Sequence, residues 1–174
     1  MCAAPLRIAA SWLSENKFVE HGLGYPSVNL FAKSSAGRRW IVRRLFVHYV
    51  SAFPTQTADD ILDAYERLSK RREPGNAMFN YCFAVVKTSP VAYGRLQTFL
   101  ATYGFARNMS FATLCMAGFF LYASVVRGVP HFRLLAVACI VTAIVLFYRY
   151  LKYFRIYSFE VFTTLLWLKE PPAK

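Results

Sequence analysis

Acidic residues are scarce in this chain. Nine Asp and Glu stand against 21 Lys and Arg, giving a formal net charge of +12 over 174 residues. Seven of the nine acids precede residue 109, and five of those lie between Asp59 and Glu73, where helix capping and surface pairing account for them. Few carboxylates are left for paired acid–base chemistry. An excess of cations beside apolar runs points to an anionic partner: phospholipid headgroups, a nucleotide or nucleic acid. The competing explanation is topological, because Lys and Arg near membrane ends set orientation.

Catalytic signatures are missing as well. The chain has no phosphate-binding glycine loop, dinucleotide fingerprint, zinc-ligand spacing or nucleophile elbow. Its four cysteines, Cys2, Cys82, Cys115 and Cys139, are far apart and make neither a metal motif nor a disulfide framework. A reduced, cytoplasm-facing soluble part fits that pattern, and no cofactor or metal is expected. The first residues do not read as a signal peptide, since Arg7 interrupts a stretch already too short.

Charge is absent altogether from two runs, 109–126 and 134–148. Nineteen uncharged residues lie between Arg107 and Arg127. As a helix they span about 28 Å, close to the ~30 Å of a bilayer's hydrocarbon core. The connection "RGVPHFR" permits only an antiparallel return. Fifteen uncharged residues follow it, and Tyr148, Arg149 and Tyr150 can extend that run into the interface. A buried soluble hairpin is the alternative, but two such runs would need a large core to hide in.

Neither glycine nor proline interrupts residues 147–169, which hold nine aromatics, four cations and one carboxylate. At about 100° per residue, Arg149, Lys152, Arg155, Glu160 and Thr163 share one arc, with Tyr150, Tyr153, Phe154, Tyr157, Val161 and Leu165 opposite. A third crossing would put Arg155 and Glu160 in mid-membrane, at about 2.5–3.5 kcal/mol each. Continuation of the second span as one rod from Phe132 to Lys169, about 55 Å long, avoids that cost. Glu160, alone among aromatics, must then meet a cation: Arg155, Arg149 or one from a neighbouring chain.

Upstream, residues 21–37 read as loop, and 38–53 as an apolar, cationic element. The clearest soluble helix covers 57–75, capped by Thr57, with Asp63–Arg67 and Glu66–Lys70 pairs, Lys70 to Arg72 in its last turn, and Pro74-Gly75 as its stop. Residues 76–88 form a buried segment of undecided type. Ser89 and Pro90 then open a helix expected to end at Gly104. The expected fold is mostly α. A small basic cytoplasmic domain (1–106) precedes a transmembrane hairpin (107–149, with spans at about 108–126 and 133–149) and an aromatic helix with its tail (150–174).

The basic runs "RRWIVRR" and "KRR" nominate Arg38, Arg39, Arg43, Arg44, Lys70, Arg71 and Arg72 as binders of an anionic partner, with Trp40 available for stacking. Cys139 and Ala143, small residues four apart, permit close helix approach in lipid. With Tyr157 and Glu160 they form the expected interface of a homo-oligomer. In "RRLFVH", Arg43 and His48 are separated by four residues, which resembles the R-x4-H element of HEPN ribonucleases. That resemblance implies a membrane-tethered ribonuclease acting through these two side chains, usually across a dimer. Arg44 follows the first Arg where the family more often has a polar Asn, Asp or His.

The layout as a whole looks like that of small bacterial membrane effectors of antiviral defence. It implies a non-enzymatic, oligomerising inner-membrane protein with both termini cytoplasmic. Its basic domain would couple a nucleotide, nucleic acid or protein partner to membrane integrity. A plain anchor subunit of a larger complex is the third possibility.

Overall fold

The structure is a computed structural model that describes residues 8–12, 25–31, 49 and 51–169, at 168 and 169 the backbone alone. Among the described residues all regular structure is helical, with no strand. After a helical turn at 8–11 come α1 (Pro26–Asn29), α2 (Thr55–Ser69), α3 (Asn76–Val86), α4 (Pro90–Arg127) and α5 (His131–Lys169).

Helix α2 is shorter and earlier than its sequence suggests. Pro54 takes the N-cap position and its carbonyl accepts the Ala58 N–H at 3.0 Å, so Thr57 sits inside the first turn and does not cap. The helix ends at Ser69, where Lys70 turns left-handed (φ 59°) and its N–H returns to the Glu66 carbonyl at 2.9 Å. The chain is thus released before Pro74-Gly75, and the "KRR" run lies mostly beyond the helix. Arg72 folds back to Asp63 (3.2 Å) and Glu66 (3.0 Å), the acids expected to meet Arg67 and Lys70.

The undecided segment at 76–86 is helix α3. Met78, Cys82 and Val86 recur every fourth residue and are fully buried, which is one face of a helix. A Ser27 hydroxyl donates to Asn76 Oδ1 at 2.9 Å and ties α1 to its start. Ser89 and Pro90 open α4 as the sequence suggests, although the Ser89 hydroxyl makes no capping bond.

Helix α4 does not stop at Gly104. It runs 38 residues into the uncharged segment, because the face that meets α5 continues across that glycine. A mid-helix glycine costs about 1 kcal/mol, less than the packing on either side supplies. It ends where Gly128 adopts φ 65°, a left-handed cap open to glycine, with its N–H on the Ser124 carbonyl at 3.0 Å. Helix α5 then returns without a break for 39 residues, about 58 Å. No reversal lies between the second apolar run and Lys169, so residues 150–168 extend that helix.

The two long helices pair antiparallel along their length. From one end to the other, Arg95 meets Glu160, Tyr103 meets Tyr150, Ser110 meets Ala143, and Phe120 meets Phe132. Around their far ends the shorter elements close a head. Its core unites Ile61 and Tyr65 of α2, Met78 and Cys82 of α3, Leu96 of α4, and Tyr157, Val161, Phe162 and Leu165 of α5. Phe53 and Leu30 seal the same cluster.

Candidate functional site

The uncharged hairpin is packed inside out relative to a soluble bundle. Facing α5 on α4 are Tyr103, Ala106, Ser110, Thr113, Ala117, Phe120 and Ser124, spaced alternately three and four apart. Facing α4 on α5 are Phe132, Ala136, Cys139, Ala143, Leu146 and Tyr150, with the same spacing. This 3.5-residue repeat is the seam of a left-handed helix pair. Most seam positions are small or hydroxylated, and the large apolar side chains point away. Ala136 and Ser124 are 0% and 2% exposed, while Leu134 and Val125 are 73% and 81% exposed. Water would penalise that arrangement, since each large side chain left uncovered forgoes about 1.5–3 kcal/mol.

Small residues let the backbones approach. The Ser110 hydroxyl donates across the seam to the Ala143 carbonyl at 2.8 Å, a bond that a larger side chain at 143 would obstruct. At the turn, Arg133 Nε donates to Ser124 Oγ at 3.2 Å. Both long helices are long and apolar enough to cross a bilayer.

Above the uncharged segment the seam turns aromatic. Tyr103, Phe147, Tyr150 and Phe154 pack together, Tyr150 and Phe154 stacked and the other pairs tilted, with Tyr49, Ala106 and Leu151 completing a second buried cluster. Arg107 is 8% exposed beside it. Burial raises the Tyr49 hydroxyl above its ordinary pKa, with Tyr150 and Tyr25 adding to the effect. Tyr157 is raised by burial first and by Tyr103 and Tyr93 second. The Cys82 thiol is pushed up by burial to about 12, which keeps it protonated and unreactive at neutral pH.

The sequence-nominated residues are dispersed. Arg38, Arg39, Arg43, Arg44 and His48 lie outside the described residues, so the ribonuclease pair has no geometry here. Lys70 and Arg71 are exposed beyond the end of α2, and Arg72 is held by two carboxylates. Cys139 and Ala143 lie in the seam within one chain, and Tyr157 lies in the head core. Glu160 does meet a cation, but it is Arg95 of α4, Nη2 to Oε1 at 3.0 Å. Arg155 instead donates to the Ser51 carbonyl at 3.0 Å, and burial lowers its pKa; Arg149 is exposed. Sequence reasoning missed Ser110, although its spacing to Ala106, Ala117 and Ser124 was there to be read. No group of three or more metal-ligating side chains occurs among the described residues.

No protein-family model, curated protein or solved structure matches this chain.

Proposed function

We propose that this chain is a two-span integral membrane protein whose helical head lies on the cytoplasmic side and acts without catalysis. The head takes an anionic nucleotide, nucleic-acid or protein partner and relays that engagement to the bilayer, as a membrane effector assembled from several copies. The observation that carries this reading is the polarity of the hairpin, with large apolar side chains outward and small or hydroxylated ones inward. Orientation follows from charge. Arg95, Arg107, Arg149, Lys152 and Arg155 lie on the head side, joined by the basic residues upstream, and only Arg127 and Arg133 flank the turn. Relay is supported by α4 and α5, which pass from apolar segment to head without a joint.

Thiol accessibility tests the topology. In a background lacking the native cysteines, Pro130→Cys should react with a membrane-impermeant reagent added outside intact cells, and Thr88→Cys should react only after lysis. Reaction of both from outside, or release of the protein from membranes by alkaline carbonate, would overturn the two-span reading.

A further inference from the structure

The head-side end of the hairpin carries two cations, Arg149 and Lys152, that form no ion pair with any carboxylate among the described residues. Across the 38 residues of α4 and 39 of α5 there is one acid, Glu160, already joined to Arg95. The other described acids belong to α2 and the loop after it, Asp59, Asp60, Asp63, Glu66 and Glu73. Asp63 and Glu66 are engaged by Arg72. Arg149 and Lys152 are exposed and three residues apart on α5, which puts their side chains side by side, with Cβ atoms about 5–6 Å apart. One turn below them Ile144 and Val145 face outward, so the pair stands where the apolar surface ends.

The register set by Ser110 and Ala143 brings Phe105 of α4 level with Tyr148 of α5, and both rings are exposed. A tyrosine such as Tyr148 favours the headgroup layer of a bilayer, where its ring is apolar and its hydroxyl wet, and Phe105 adds apolar surface at the same level. Arg155, one turn further on, is partly buried on the Ser51 carbonyl and does not extend the pair outward.

We infer that Arg149 and Lys152, bordered by Tyr148 and Phe105, form a binding site for the headgroup of an anionic phospholipid. This rests on the two-span reading and adds a lipid class to it. Two adjacent ammonium and guanidinium donors match a phosphodiester's oxygens, and the outward Ile144 and Val145 receive the acyl chains of the same molecule. A soluble polyanion would gain nothing from that apolar border, which is why the lipid is favoured. The paired cations at the turn differ, since Arg133 is drawn back onto Ser124.

Native mass spectrometry of the full chain, in detergent containing equal phosphatidylglycerol and phosphatidylcholine, reads the site directly. Wild type should retain phosphatidylglycerol preferentially, and Arg149→Gln with Lys152→Gln should remove the preference, about fivefold for each cation. A charge-matched control, Arg67→Gln with Lys87→Gln on the head surface, should keep it. Equal retention by wild type and the boundary double variant overturns the site, as does an equal fall in the control, which would reduce the effect to net charge. Carbonate-resistant protein without lipid preference condemns the site alone, whereas carbonate-released protein condemns the two-span reading beneath it.

Discussion

Glu160 and Arg95 are 65 positions apart in sequence and 3.0 Å apart in space. Their side chains are 21% and 69% exposed, so solvent screens the arginine end. A fully desolvated pair would lose about 3–5 kcal/mol on removal of one partner, an exposed one about 0–1. The lower range applies. Glu160→Gln and Arg95→Gln should each cost about 1 kcal/mol, and the double variant little more than either alone. Thermal unfolding in detergent measures this, with Glu73→Gln as the exposed control. Full additivity of the two losses would sever the pair. Alkali gives a second residue-scale test. Cys82, raised from 9.0 to about 12, holds its proton more firmly folded than unfolded. Its contribution is therefore complete below pH ~9 and is lost as pH rises toward 12, by about 1.4 kcal/mol per unit. The raised Tyr49 and Tyr157 act with the same sign from about pH 10 upward. Melting temperature should hold to pH ~9 and then fall, and Cys82→Ala should make the fall shallower. A variant with the same slope as wild type would remove Cys82 from the explanation.

At the scale of elements, the seam makes the sharpest demand. Ala143 is buried, and its carbonyl accepts the Ser110 hydroxyl. Ala143→Leu inserts three carbons there, which should cost about 1–3 kcal/mol from overpacking and push the two backbones apart. Ala138→Leu, on the outward face, should cost under about 0.5 kcal/mol. Comparable melting of the two variants would contradict the seam. Much of this level is legible in the chain itself: two uncharged runs, a turn between them, and a glycine- and proline-free stretch that can only continue as helix. What escapes sequence reading has physical causes. Pro54 and Thr57 compete to start α2, and the proline wins because its carbonyl can accept the first helical bond while its missing N–H is no loss. Gly104 looks like a stop, yet a long packed face outweighs one glycine. The Cys139–Ala143 spacing suits a partner helix without saying whose, and in this fold the partner is α4. Arg95 as the mate of Glu160 is a non-local fact, invisible to local pattern.

For the whole molecule, the decisive property is that both long helices belong to the hairpin and the head at once. A head joined by a flexible linker could engage a partner with no effect below. Here α5 runs unbroken from Tyr157 and Phe162 in the head core to Ala143 in the seam, the continuity that the proposed relay requires. Insertion of two glycines after Arg149 should break this continuity while leaving carbonate resistance intact. With a voltage-sensitive dye, cells expressing wild type should lose membrane potential, and cells expressing the insertion variant should retain it. A wild type that leaves the potential unchanged would end the effector reading, and an insertion variant as active as wild type would end the relay.

The head core also has an order in time. Phe53, Tyr65, Phe79 and Cys82 are synthesised before either apolar run, and the residues that cover them, Tyr157, Val161, Phe162 and Leu165, are synthesised after both. On the two-span proposal, the head stays open while both spans are being made, with aromatic surface exposed throughout. Closure of the head can only follow synthesis of the second apolar run, so the head is the last part of the described fold to be completed.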